Sequence, residues 1–218
     1  MQWVYDGSKS SNLIDKVIVA TDDDRIISAC KAANIECVMT SPDISTGSDR
    51  ILAAYKSLGE NFDYLINIQG DEPLIKGETL DSLIINTIEA DAPVGTLISR
   101  LDKVEDLNNP NIVKVVINNK SNAMYFSRQA IPFVRDAEAS QWLMHNDYHK
   151  HIGIYIFKSN ALERFCNSEQ TQLENAEKLE QLRLLENDIN IYCSKTDDFF
   201  FSIDTPEDLQ FIRDYLNQ

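Results

Sequence analysis

The sequence predicts an α/β fold: a doubly wound, mostly parallel sheet that carries a smaller mixed β/α part. Two observations predict it. Over the first 68 residues strand-like and helix-like patterns alternate in the order β-α-β-α-β, as a parallel sheet with crossover helices requires. After Ala90 short β-rich runs follow one another around turn signals, which suits a hairpin-like, mixed appendage. With 218 residues, 43% hydrophobic and 25% charged, the chain is long enough for one compact core and marginal for two. Residues 1–218 are therefore read as a single domain, with no repeat, linker or low-complexity segment to divide them.

The elements follow in order. Lys16-Val17-Ile18-Val19-Ala20 is an apolar run that ends in Thr21-Asp22-Asp23-Asp24, after which Ile26, Ile27, Cys30 and Ala33 recur at helical spacing. That is a strand, a capped turn and a helix. Glu36-Cys37-Val38-Met39 reads as a short strand, the polar stretch from Thr40 to Ser48 as a loop, and Ile51-Leu52-Ala53-Ala54-Tyr55 as the start of a second helix. Tyr64 to Ile68 is the third strand, followed by a helix over Asp81 to Ala90 and a strand over Val94 to Ser99. Val113 to Ile117, closed by Asn118-Asn119, and Ala123 to Phe126 have the look of paired strands. Gly153 to Phe157 and Ile189 to Cys193 add two more, separated by an acidic helix over about Leu173 to Leu185 in which Leu179, Leu182 and Leu185 form an apolar stripe.

Charge and cysteine usage narrow the function classes. Twenty Lys and Arg stand against 35 Asp and Glu, and a net charge of −15 argues against nucleic acid or an anionic membrane as the main partner. An anionic small substrate would need a local basic cluster. Cys30, Cys37, Cys166 and Cys193 show neither metal-ligand nor redox spacing and fit reduced thiols. The first residues lack a basic segment followed by a long apolar one, and no later stretch is apolar enough to span a bilayer. The expectation is a soluble, cytoplasmic protein.

Chemistry first shows at Gln69-Gly70-Asp71-Glu72-Pro73, where a buried strand runs into a sharp loop bearing two carboxylates. Open α/β sheets bind ligands at the carboxyl ends of their strands, and a carboxylate fixed there suits Mg²⁺. The same pentapeptide also reads as a solvated acidic turn.

Several motifs then coincide in order: Val17 to Asp23, Met39-Thr40-Ser41-Pro42 through Thr46-Gly47-Ser48-Asp49-Arg50, Gln69 to Pro73, Tyr125-Phe126-Ser127-Arg128 with Ile131-Pro132, His151 to Tyr155, Leu179-Glu180-Gln181-Leu182-Arg183, and Asp204 to Leu209. On these segments, which span nearly the whole chain, it resembles the 3-deoxy-manno-octulosonate cytidylyltransferases, also called CMP-Kdo synthetases. The resemblance implies a Rossmann-like nucleotidyltransferase sheet with a smaller sugar-binding and dimerisation part. It implies a homodimer that joins CTP to an ulosonic acid, giving a CMP-sugar for lipopolysaccharide and pyrophosphate.

By the same resemblance Asp71 and Asp204 are the catalytic carboxylates and hold Mg²⁺. Ser48, Arg50 and Gln69 face the nucleotide, and Arg128, Arg135, His151, Tyr155, Glu180 and Gln181 contact the sugar acid, with Gln69 also within its reach. Alternation with period two places residues 151, 153 and 155 on one strand face, and Gly153 between them leaves space for a ligand. Other readings stand beside these. Asp204-Thr205-Pro206-Glu207-Asp208 also makes a good helix start, and Arg135 beside Asp136 also makes a surface ion pair.

One departure is large. The family opens with a strand and a basic phosphate-binding loop of the Pro-Ala-Arg type, and Met1-Gln2-Trp3-Val4-Tyr5 instead resembles the helix that follows them. A segment of roughly 20–30 residues then has no counterpart. The chain as given is expected to be N-terminally truncated and to release little or no pyrophosphate. Two further readings stay open: a non-catalytic remnant or subunit, and a cytidylyltransferase for 8-amino-Kdo or another ulosonic acid.

Overall fold

A computed structural model describes residues 1–44, 46–203 and 205–216. Helix α1 (Gln2–Lys9) leads into β1 (Val19–Thr21), α2 (Asp24–Ala32), β2 (Cys37–Met39), α3 (Gly47–Leu58), β3 (Tyr64–Asn67), α4 (Gly77–Glu89) and β4 (Val94–Arg100). Next come α5 (Val104–Asn108), β5 (Lys114–Ile117), β6 (Ala123–Ser127), α6 (Trp142–His145), β7 (His149–Lys158), α7 (Ser159–Cys166), α8 (Gln172–Glu177), α9 (Gln181–Glu186), β8 (Ile191–Lys195) and α10 (Pro206–Leu216). The α/β alternation expected from the sequence is present, with local causes for it. Asp23 caps α2 by accepting from the Arg25 amide, and Thr46 caps α3 by accepting from the Asp49 amide.

Among the described residues the strands form two sheets. A parallel pair β1-β2 stands apart, and a mixed sheet of six strands runs β6-β5-β7-β4-β8, with β3 added on β7. Strands β3, β4 and β5 all run antiparallel to β7, and β8 runs parallel to β4, so β3, β4, β5 and β8 share one direction. The β-α-β-α-β order gives the parallel pairing of β1 with β2 but not every strand neighbour: β3 takes β7 as its partner, while α3 packs against both β1 and β3.

Strand periodicity divides the core. Ile152, Ile154 and Ile156 of β7 join Leu97 of β4 on one face, against Leu80, Leu83 and Ile84 of α4 and Val4 of α1. Tyr155 and Phe157 join Val94 and Ile98 on the other, against Leu52 of α3, Leu162 and Phe165 of α7, and Leu182 and Leu184 of α9. Helices on both faces make the sheet doubly covered. Gly95 allows the close approach of α4, since a Cβ there would lie 2.0 Å from Thr87 Oγ1. Leu101, Leu107, Trp142 and Tyr148 form a third, smaller cluster.

The acidic helix expected over Leu173 to Leu185 is two helices, α8 and α9. Lys178 closes α8 in the left-handed region with φ 55°, and the chain turns there. Leu179 and Leu182 are buried as the apolar stripe requires. Arg183 is buried as well, although it lies off that stripe: it pairs with Glu174 at 3.1 Å and lies over the Phe165 ring at 4.2 Å.

Candidate active site

The starts of α3 and α9, the end of β3 and the strands β4, β6 and β7 converge on the region that the sequence singles out. Helix α3 begins at Gly47, directly against the end of β3. A Cβ at Gly47 would stand 3.2 Å from Gln69 Nε2 and 3.3 Å from Asn67 Nδ2, so the backbone at Gly47 lies close to these two amides and a larger residue there would press on them. Ser48, in the first turn, is buried and donates to Glu180 Oε1 at 3.0 Å. A residue expected on the nucleotide side and one expected on the sugar side are thereby joined across 132 positions of sequence.

Glu180 stands at the entry of α9, and burial raises its carboxyl pKa against the opposing pull of Ser48 and Arg183. Its charge also acts on Tyr155, whose phenol is held protonated well above its usual range, chiefly by burial. Tyr155 and His151 lie with ring centroids 5.2 Å apart. Alternation alone does not produce this contact, because residues four apart in a regular strand are separated by roughly 13 Å. A bulge brings them together. Thr96 of β4 pairs with Tyr155 and Leu97 with Ile152, so Gly153 and Ile154 have no partner on β4 and β7 bends there. Nothing lies within 4 Å of where a Cβ on Gly153 would be, in accord with the space expected at that position.

His151 is packed edge-on to Phe126, with centroids 5.1 Å apart, and its Nε2 lies 3.0 Å from Thr96 Oγ1. Burial drives its pKa down to about 3, so the imidazole is neutral at physiological pH. Gln181 is buried in the first turn of α9.

The arginines divide. Arg128 donates through Nε to the Glu177 carbonyl at 2.8 Å and through an Nη to the Pro110 carbonyl at 3.0 Å, while its amide donates to the Glu177 carboxylate at 3.0 Å. It is anchored at the foot of the segment that carries Glu180. Arg50 donates to Thr40 Oγ1 at 2.5 Å, to Asp22 Oδ2 at 3.0 Å and to the Ile44 carbonyl at 3.2 Å, bracing α3 against β1 and β2. Arg135 sits in a different setting: its side chain is 89% exposed and lies 3.7 Å from Asp136, as the surface-pair reading has it.

Asp71 is half-buried on the turn between β3 and α4, and its carboxylate makes no hydrogen bond or ion pair among the described residues. An unpaired carboxylate on a strand end is a donor type that fits a hard cation. Its neighbour Glu72 is buried and accepts from Ser202 Oγ at 2.5 Å, and the Asp71 carbonyl accepts from the Ile203 amide at 2.9 Å. Asp204 lies outside the described residues. Among those described, no group of three or more His, Cys, Asp and Glu gathers as a ready-made metal cluster.

Sequence reasoning passed over Asn67 and Thr96. Asn67 is buried, and its Nδ2 has no hydrogen-bond partner among the described residues, although it faces the start of α3. A buried, unused donor beside a glycine-opened backbone suits a ligand acceptor. Asn67 is followed two residues later by the motif that attracted attention, and only the fold shows that both amides point to Gly47. No helix among the described residues is long and apolar enough to cross a membrane.

The family model described as "Cytidylyltransferase" matches residues 1–191. A relative from Thermodesulfovibrio yellowstonii named 3-deoxy-manno-octulosonate cytidylyltransferase is 44% identical, with 100% of this chain and 88% of the relative covered. One of the same name from Parabacteroides distasonis is 41% identical over 96% of this chain and 84% of its own length. Among solved structures, CMP:2-keto-3-deoxy-manno-octonic acid synthetase complexed with CTP superposes with a TM-score of 0.90 at 32% identity, covering 100% of this chain and 87% of that one.

Proposed function

The chain belongs to the cytidylyltransferase family, among the 3-deoxy-manno-octulosonate cytidylyltransferases, and from that membership we propose how its residues divide the work. The reaction joins CTP to 3-deoxy-manno-octulosonate. A hydroxyl oxygen of the sugar acid forms a new bond to the α-phosphorus, the bond to the β-phosphate oxygen breaks, pyrophosphate departs and the hydroxyl proton is lost to solvent or base. The product is the activated sugar used for lipopolysaccharide.

The observation that carries the assignment of roles is the Ser48 to Glu180 hydrogen bond, which ties the start of α3 to the start of α9 beside Tyr155 and His151. On the nucleotide side, Gln69 and Asn67 offer amide donors next to the Gly47 backbone, and Arg50 would have to exchange its pairing with Asp22 for a phosphate to act there. On the sugar side, neutral His151 and protonated Tyr155 are hydrogen-bonding groups for hydroxyls rather than charges. Glu180 has one oxygen taken by Ser48 and accepts a sugar hydroxyl with the other, while Gln181 and Arg128 complete that wall.

Asp71 would hold Mg²⁺ together with Asp204, and the ion would supply charge neutralisation for the phosphates of CTP. That the Asp71 carboxylate makes no hydrogen bond or ion pair among the described residues supports this. We further propose a cytoplasmic homodimer. Four free thiols support the compartment, and Phe133 and Met144, 74% and 82% exposed, supply apolar surface that a second copy would cover.

The test measures CTP and sugar-acid affinity by calorimetry together with pyrophosphate release. We expect Glu180→Gln to weaken sugar-acid binding about tenfold with little effect on CTP, and Asp71→Asn to remove the gain in CTP affinity that added Mg²⁺ brings. Binding of neither ligand to the folded chain would overturn the reading.

A further inference from the structure

Thr96 has no part in the roles above, yet it is fully buried in the middle of β4 with its hydroxyl near three partners. Oγ1 lies 2.8 Å from the Ile154 carbonyl, 3.2 Å from the Ile152 carbonyl and 3.0 Å from His151 Nε2. A threonine hydroxyl has one proton to give, and a carbonyl oxygen can only accept. If that proton pointed at His151, two oxygens would face each other at 2.8 Å with lone pairs opposed and no hydrogen between them. The proton therefore goes to the carbonyls of the bulge, and the hydroxyl oxygen accepts from Nε2–H. In a neutral imidazole the other nitrogen is then a bare acceptor. Among the described residues Nδ1 has no hydrogen-bond partner, while Phe126 and Tyr155 hold the ring in place and Gly153 keeps the space beside it open.

We propose that Thr96 is a positioning residue that fixes His151 as the Nε2–H tautomer, so that Nδ1 accepts a hydrogen bond from a hydroxyl of the sugar acid. The proposal rests on the reading that His151 contacts that substrate. Its consequence is selectivity by donor: the substrate group that meets Nδ1 must carry a hydrogen, and an ether oxygen or a deoxy carbon at that position is refused.

The first test is ¹⁵N NMR of the full chain labelled at histidine, with the His151 signals assigned by their loss in His151→Gln. The expected spectrum has Nδ1 bare and Nε2 protonated; the opposite tautomer overturns the proposal. The second test compares Thr96→Val with Thr96→Ser. The valine, of nearly the same shape, neither donates nor accepts, so it should raise the sugar-acid dissociation constant about tenfold and leave that of CTP within roughly twofold. Serine should restore both the affinity and the tautomer. Equal loss for both ligands in Thr96→Val, or no rescue by serine, marks a purely structural threonine and overturns the proposal. Should the valine chain not fold, the wild-type spectrum and the serine variant still decide. Unchanged sugar-acid affinity in His151→Gln would sink the substrate contact itself, and the NMR result would then stand apart from it.

Discussion

At the scale of single residues, the controlling effect is desolvation. His151 is held neutral with a pKa of about 3, whereas an unfolded chain would titrate it near 6.5. The sign follows from linkage. As pH falls below about 6.5 the unfolded state takes up a proton that the folded state refuses, so stability is lost on acidification. Between pH 6.5 and 5 the loss attributable to this one group approaches about 1.4 kcal/mol per pH unit. His149, also lowered by burial, adds to it, and Glu180, raised by burial, opposes it. The informative measurement is the difference between wild type and His151→Gln in urea melts across that window; we expect the variant to show the flatter profile. His151, Tyr155 and Glu180 are singled out in the sequence through the family resemblance, since by residue type and spacing each also reads as an ordinary structural residue. Thr96 and Asn67 did not announce themselves, because a threonine and an asparagine inside strands have ordinary reasons to be there, and only tertiary neighbours give them work.

At the scale of elements, the turn between α8 and α9 is the instructive case. A continuous acidic helix satisfies the leucine spacing, but Glu174 and Arg183 both lie inside, with side chains 7% and 5% exposed, and meet only because the chain breaks at Lys178. Helical periodicity is legible in sequence, whereas a single residue of left-handed backbone is not. Truncating Glu174 to alanine leaves a buried guanidinium without its counter-charge, and we predict a loss of about 3–5 kcal/mol in denaturant unfolding. Lys178→Gly should do the opposite and gain roughly 0.5–1 kcal/mol, since glycine adopts φ 55° without a Cβ penalty. The strand-pairing pattern follows the same lesson. The β-α-β-α-β order predicted that β1 and β2 run parallel, but the choice of β7 as partner for β3 depends on side chains more than 80 residues away in sequence.

At the scale of the whole molecule, stability is unevenly shared. β4 and β7 carry the two large apolar clusters, yet no residue between Val17 and Ile44 belongs to any of the three clusters. The unit of β1, α2 and β2 is held by three-residue strands, the capping of α2 and the grip of Arg50 on Asp22 and Thr40. Native-state hydrogen exchange should therefore find the β1 and β2 amides opening several kcal/mol below the global value, with β4 and β7 near it. Arg50→Ala should widen that gap while leaving exchange in β4 unchanged. Similar protection in both sheets would contradict this account. The bond between Ser48 and Glu180 has a consequence on this scale as well. Cooperation between two ligands is symmetric by thermodynamic necessity, so any factor by which cytidine triphosphate tightens its co-substrate must be returned in equal measure. Removing one oxygen atom, in Ser48→Ala, should shrink both factors together, and the two titrations would then report a single number from opposite directions.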